Sequence, residues 1–299
     1  MPWINFFGKK KEEVKPDQQL ANAANMKVVV RTDLGNIRTN NEDAGLFLRI
    51  ADADITHEKG CILMVADGMG GHQAGEVASK MATEIISTEY FKSVNGSIEK
   101  TLAKVFTLAN KNILAAATAD ASKKGMGTTC TALIVAGNQV YYAHVGDSRA
   151  YFIKNKNIGR ITTDHTYVQE LIKAGTITIA EAEKHPQRNI LTNAMGTKPQ
   201  IRVDTGQCNF LFEENDKLMI CSDGLYDYLE DAEIAGIVND KPVEEAAEQL
   251  IAEAKKRGGH DNITVVLAEK TSVVTAKPVK DTGDFALPVL PVTKEIDLP

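Results

Sequence analysis

An apolar run, Ile62-Leu63-Met64-Val65-Ala66, stops at Asp67, and glycines follow at positions 68, 70 and 71 before His72. The run reads as a buried strand. The glycines let the chain turn at once and let another group approach its backbone, which predicts Asp67 presented at a strand end. A phosphate cradle would not carry an anion at its mouth, and no Gly-Lys-Ser/Thr follows to supply the cation of a nucleotide loop. A divalent cation lying between Asp67 and a bound phosphate would reconcile the two negative charges.

The same device recurs along the chain. Leu218 to Cys221 runs into Ser222-Asp223-Gly224, Tyr142 to Val145 runs into Gly146-Asp147, Asp261-Asn262 precedes the apolar Ile263 to Leu267, and Asn41-Glu42-Asp43 precedes Ala44 to Leu48. Each alone is ordinary turn chemistry. Together, acids at the ends of five apolar strands repel one another unless a shared cation neutralises them, and an all-oxygen donor set suits Mg²⁺ or Mn²⁺.

Two other phosphate chemistries fare worse. Asp52-x-Asp54-x-Thr56, just after an apolar run, has the spacing of an aspartyl nucleophile, but that reading leaves the other acids without a task, and a polar hairpin loop is simpler. None of Cys61, Cys130, Cys208 and Cys221 is followed at the sixth position by arginine, which rules out a cysteine-nucleophile phosphate loop, and no Cys-x-x-Cys spacing suggests zinc or a redox pair. Core packing is their expected role.

The elements that must position these acids are strands and a few long helices. Strands are expected over 27–31, through Ile50, over 62–66, from Met126 to Val135 and on to Val145 about a turn at Gly137-Asn138. A hairpin of 149–153 with 160–162 follows, and the last strand covers 263–267. Alternation is poor and apolar runs dominate, which suggests sheets covered on both faces. Helices are predicted over 75–91, over 97–119 with Ser97 as N-cap, and from Pro242, with proline first, Glu244 and Glu245 early, and Lys255, Lys256 and Arg257 late. Residues 164–200 are irregular, with a capping-box pattern at Thr178-Ile179-Ala180-Glu181. This pattern makes a layered α/β (α+β) domain.

Arg38-x-x-Asn41-Glu42-Asp43-Ala44, Asp67-Gly68-Met69-Gly70-Gly71-His72, Gly127-Thr128-Thr129, Gly146-Asp147-Ser148-Arg149, Ser222-Asp223-Gly224 and Gly259-His260-Asp261-Asn262 occur in the order found in the PP2C or PPM family. The chain thus resembles the bacterial branch of these metal-dependent protein serine/threonine phosphatases, over about residues 26–270. The resemblance implies a central sandwich of two antiparallel β-sheets flanked by helix pairs, with 164–200 as a mobile flap beside the active site. It implies that phosphoserine and phosphothreonine are hydrolysed by a hydroxide held between two Mn²⁺ or Mg²⁺ ions about 3.5–4 Å apart. Asp67, Asp223 and Asp261 would hold the first ion; Glu42, Asp67 and the Gly68 carbonyl would hold the second, with Asp43 orienting its waters. Asp147 with Asp223 would hold a third, weaker ion.

By the same resemblance Arg38 clamps the non-reacting phosphate oxygens, a task suited to its planar fork, and Asn262 adds a hydrogen bond to phosphate. Family relatives from eukaryotes carry a histidine directly after the Asp-Gly pair, where this chain has Met69. His72 is then the nearest donor to the departing oxygen, or else it caps the Gly70-Gly71 turn, and a metal-bound water is a third source of the proton. His165 is a weaker candidate, and His57 and His185 read as surface residues.

With 299 residues, 43% of them hydrophobic and 25% charged, the chain has a globular composition, and the net charge of −6 argues against nucleic acid as a partner. No segment is long and apolar enough to span a membrane, and a cytoplasmic monomer is expected. Its partners would be phosphorylated proteins, including a serine/threonine kinase and its substrates. Residues 1–25 are expected to be a polar tail, with an aromatic tip at Trp3 to Phe7 beside Lys9 to Lys11, and 271–299 a second tail. The readings to set against the phosphatase are a hydrolase of small phosphorylated metabolites and a phosphatase-like domain that only binds. The second should have lost ligands, whereas Asp67, Asp147, Asp223 and Asp261 are all present.

Overall fold

A computed structural model of the chain describes residues 18–23, 25–50, 59–70, 74–93 and 96–272. Two antiparallel sheets lie face to face. One has the order β1 (Gln18–Ala23), β2 (Met26–Asp33), β12 (Ile263–Lys270), β11 (Lys217–Cys221), β8 (Arg149–Lys154), β9 (Asn157–Arg160). The other runs β10 (Asp204–Gln207), β7 (Gln139–Val145), β6 (Cys130–Ala136), β4 (Cys61–Met69), β3 (Asp43–Arg49), with the two-residue β5 (Gly127–Thr128) also paired to β4.

Apolar runs without alternation are explained by burial on both faces. In β4, Ile62, Met64 and Ala66 pack under α1 (Ala74–Lys92) and α2 (Ile98–Ala119), while Cys61, Leu63 and Val65 face the other sheet. In β12, Val265 and Leu267 pack under the second helix pair, α6 (Asp231–Asp240) and α7 (Val243–Lys256), while Val266 and Ala268 point between the sheets. The result is four layers, helix pair, sheet, sheet, helix pair, as expected. The caps follow the sequence: Ser97 accepts from the Lys100 amide at the start of α2, and α7 places two glutamates in its first turn and two lysines in its last, matching the helix dipole. Pro242 stands just before α7 as its N-cap residue rather than inside it.

Two boundaries differ from expectation. The N-terminal tail is shorter, because β1 forms a hairpin with β2 through Asn25, whose φ is +68°. The polar Gln18-Gln19-Leu20-Ala21-Asn22-Ala23 carries no alternation, which an edge strand does not require. The hairpin partner of β8 is 157–160 rather than 160–162. Asn155 and Lys156 both take positive φ and close a two-residue turn, a geometry usually announced by a glycine that is lacking here.

Residues 164–200 hold two short helices, α3 (Tyr167–Lys173) and α4 (Ile179–Glu183). The capping box forms as expected: Thr178 Oγ1 accepts from the Glu181 amide, and Glu181 accepts from the Thr178 amide. α5 (Asp223–Tyr226) is a single turn following β11. Among the described residues no helix is long and apolar enough to cross a membrane.

Candidate metal centre

The alternation that sorts β4 side chains between the two cores also aims Asp67. It shares a face with Cys61, Leu63 and Val65, so its carboxylate stands where the apolar layer between the sheets ends. The strand does not stop there, as the glycines had suggested, but runs on to Met69, with Gly68 and Met69 paired to Thr128 and Gly127. The Asp67 peptide is pinned accordingly. Its N–H donates to Thr129 Oγ1, and its carbonyl accepts from the Thr129 amide and the Thr128 hydroxyl, each at 2.9 Å. These bonds give the Gly127-Thr128-Thr129 motif a task that its sequence did not state.

Asp43 lies directly opposite Asp67 in the β3–β4 register. Ser222 Oγ donates to Asp43 Oδ2 at 2.8 Å while accepting from the Thr264 amide, and Thr264 supplies a second hydroxyl. The direction of that relay is set by the carboxylate, which only accepts and so takes the Thr264 proton. Asn41 Nδ2 donates to Thr32 Oγ1, Thr32 donates to Thr264 Oγ1 at 2.7 Å, and the Thr264 proton is left for the carboxylate. Burial pushes Asp43 up to about 6 despite these donors.

Glu42, buried, presents its carboxylate to the Gly75 amide at the start of α1, where the helix field favours an anion. Burial still raises its pKa, with Arg38 pulling the other way. Gly68 is required by this junction, since a β-carbon there would lie 2.2 Å from the Gly75 carbonyl oxygen and 2.5 Å from that of Glu42. On the other sheet, Asp223 opens α5 and Asp261 precedes β12. Their loops touch at Gly224, where a β-carbon would meet the Asn262 carbonyl at 2.0 Å. Asp147, buried, follows β7.

The acids share one cleft. Burial first, then Asp43, Asp223, Asp147 and Asp261, hold Asp67 well above the usual carboxylate range. Asp223 is raised by burial, then by Asp147 and Asp261, and Asp147 is pushed up to about 7 by burial and Asp164. Among the described residues no three His, Cys, Asp or Glu side chains close into a finished cage; the acids line the cleft without meeting at a point. Their chemistry nevertheless fits a hard cation. The donors are all oxygen, and Asp223 Oδ1 is buried with no hydrogen-bond partner among the described residues.

Arg38 stands at the rim, its Nη2 donating to Asp261 Oδ2 at 2.7 Å. Burial opposes its charge, but Asp261, Glu42 and Asp67 more than offset that, and its pKa is raised. The Asn262 side chain, expected to reach phosphate, is engaged within the protein. Its Oδ1 accepts from the Glu42 amide and its Nδ2 donates to the Leu34 and Asn40 carbonyls, so its side chain is spent on holding the loop that carries Arg38 and Glu42. His72 and the Asp52-x-Asp54-x-Thr56 segment, with His57, lie outside the described residues. His165 is buried and bonded on both ring nitrogens, away from a proton-donor role. Cys61, Cys130 and Cys221 are buried and Cys208 is half-buried, all four free; burial raises Cys61 and Cys221 to about 12, which leaves no thiolate nucleophile.

A family model described as protein phosphatase 2C matches residues 39–268. The serine/threonine phosphatase stp of Listeria innocua is 40% identical over 245 residues, 80% of this chain and 94% of that protein. The crystal structure of the serine/threonine phosphatase Stp1 from Staphylococcus aureus superposes with a TM-score of 0.74 at 34% identity, covering 88% of this chain and all of that one. A structure of the PstP catalytic domain in complex with two manganese ions gives a TM-score of 0.69 at 32% identity, covering 83% of this chain and 99% of that one. The chain belongs to the protein phosphatase 2C family.

Proposed function

We infer that this chain is a metal-dependent phosphatase that hydrolyses phosphoserine and phosphothreonine in proteins. The observation that carries the reading is one cleft collecting Asp43, Asp67, Asp147, Asp223 and Asp261 from both sheets, with a carboxylate oxygen of Asp223 buried and unpaired among the described residues. Asp67, Asp223 and Asp261 would hold one Mn²⁺ or Mg²⁺; Glu42, Asp67 and the Gly68 carbonyl would hold a second, and Asp147 with Asp223 a third. Bound there, such cations lower the pKa of a coordinated water and neutralise charge on the transferring phosphoryl group.

The chain's own groups supply orientation. Asp43, fixed by the Ser222 and Thr264 hydroxyls, holds a water by accepting its hydrogen. Arg38 keeps one N–H on Asp261 and, half-exposed, has its remaining N–H groups to offer the phosphate oxygens. Phosphorylated proteins, a serine/threonine kinase and its substrates among them, are the partners we infer for a monomer working in the cytoplasm, a compartment consistent with four free cysteines.

The test is hydrolysis of a phosphothreonine peptide by metal-stripped protein with and without Mn²⁺, beside the same assay on sugar phosphates. Turnover of the peptide only with metal is expected. Retained turnover in EDTA would overturn the cation reading, and activity confined to sugar phosphates would overturn the protein substrate.

A further inference from the structure

We propose that His165 is a positioning residue that fixes the Asp147 loop, joining residues 164–200 to the cation cleft; the proposal rests on reading Asp147 as a cation ligand. The contact is reciprocal. The His165 amide donates to the Gly146 carbonyl at 2.7 Å, and the Gly146 amide donates to His165 Nδ1 at 3.2 Å. The residue immediately before Asp147 is therefore gripped at both its backbone groups by one side chain and its own main chain.

The rest of the network dictates which nitrogen carries the proton. Nδ1 accepts from Gly146 and also lies 2.9 Å from Asn193 Nδ2, so it must be bare; Nε2 then carries the hydrogen and gives it to Asp204 Oδ2 at 3.1 Å. Asn193 in turn pairs with both backbone groups of Arg202, and the His165 carbonyl accepts from the Thr192 amide. The start and the end of 164–200 thus meet on this one imidazole. Next to it, Asp164 accepts a two-point bond from Arg149 Nε and Nη2, whose guanidinium stacks 3.6 Å over the Tyr226 ring. Tyr226 Oη donates to the Asp147 carbonyl at 3.1 Å.

On its far side the loop lies close against Thr129. Gly146 has φ +107°, and a β-carbon there would lie 2.5 Å from Thr129, the residue that holds the Asp67 amide. Held between Thr129 and His165, Asp147 has its carboxylate direction set by the His165 contact. A core histidine satisfied only for packing would need no reciprocal bond to the residue that precedes Asp147.

Asparagine and glutamine separate these roles. The amide oxygen of His165→Asn falls near the position of Nδ1 and can still accept from Gly146, whereas the amide of His165→Gln reaches only toward Nε2 and Asp204. Mn²⁺ is titrated calorimetrically into metal-free full-length protein, with thermal midpoints recorded for every variant. Asp147→Asn is expected to abolish the weakest class of Mn²⁺ sites. His165→Gln is expected to weaken that class about tenfold or more, the range of outer ligand-shell changes, and His165→Asn by less than about threefold, with the tighter classes unchanged in both. The double variant Asp147→Asn with His165→Gln should bind as Asp147→Asn alone.

Equal weakening by asparagine and glutamine, a parent-like weak class in His165→Gln, or loss of the tighter classes in the double variant would each overturn the proposal. Weak-class binding that survives Asp147→Asn would overturn the ligand reading on which it stands, a result distinct from the other three. Should His165→Gln fail to fold, Asp204→Ala, at a half-exposed position, removes the acceptor that keeps the proton on Nε2. It is expected to weaken the same class at least about threefold, and parent-like binding in it would sink the idea.

Discussion

The acid cleft and residues 164–200 sit side by side, yet different forces hold them. In the cleft, each acid is an appendage of an apolar strand whose two faces are buried, and the side chain is aimed by strand register: Asp43 opposite Asp67, with Asp223 and Asp261 at the ends of neighbouring strands β11 and β12. In 164–200, most residues are polar or exposed, and placement comes from a capping box, ion pairs and a shared imidazole. Hydrophobic burial is non-directional and large, whereas each polar contact is directional and contributes only about 1 kcal/mol net. The cleft should therefore resist perturbation as a scaffold and fail sharply as chemistry, while 164–200 should loosen piecemeal.

The largest effect expected from that contrast is at Asp223. Asp223→Asn removes charge from a scaffold that stays folded, and turnover of a phosphothreonine peptide in Mn²⁺ should fall at least about a hundredfold with little change in the urea midpoint. A loss of fold in place of a loss of rate would break the comparison.

Next is the buried pair at the junction of the two regions. Burial first, then His165, push His144 down to about 3. A histidine kept neutral by the fold but free to charge when unfolded adds stability that is complete above about pH 6.5 and is lost as pH falls below it, roughly 2 kcal/mol by pH 5. His144→Asn should flatten that dependence relative to the parent in urea unfolding at pH 7.5 and 5. An unchanged slope would show that His144 takes up its proton in the folded state as readily as in the unfolded one.

Ser222→Ala comes third. It takes one donor from Asp43 and leaves the buried Thr264 amide without its acceptor, so about a tenfold fall in kcat is expected, smaller than at a ligand. The smallest effect belongs to Thr178→Ala at α4. Losing the cap should cost about 1 kcal/mol locally, detectable as faster amide exchange over 178–183, and leave peptide turnover unaltered. A large drop in turnover there would mean that α4 is tied to the chemistry more closely than its exposed polar contacts indicate.

The same contrast explains what could be seen in the sequence. Acids terminating apolar runs were legible because burial writes a pattern over many residues, and so were the layers, α1, α2 and α7. Strands β1 and β10 were missed because edge segments such as Asp204-Thr205-Gly206-Gln207 need no apolar face. The true partner of β8 was missed because the Asn155-Lys156 turn lacks glycine. Ser222 and Thr264 could not be assigned to Asp43, nor Asn262 to the backbone of Glu42, because each of those bonds joins residues 179 or more positions apart. The histidine worth attention was His165, and its value lies in a tautomer fixed by Asp204, 39 residues away.

Asn262 touches no phosphate and binds no ion in this reading, yet its three bonds suspend the whole stretch from Leu34 to Glu42. A descendant of this chain could therefore keep every acid and still fall silent through one substitution at that position. Counting intact ligands is a poor census of which family members remain enzymes; the suspension must be checked as well.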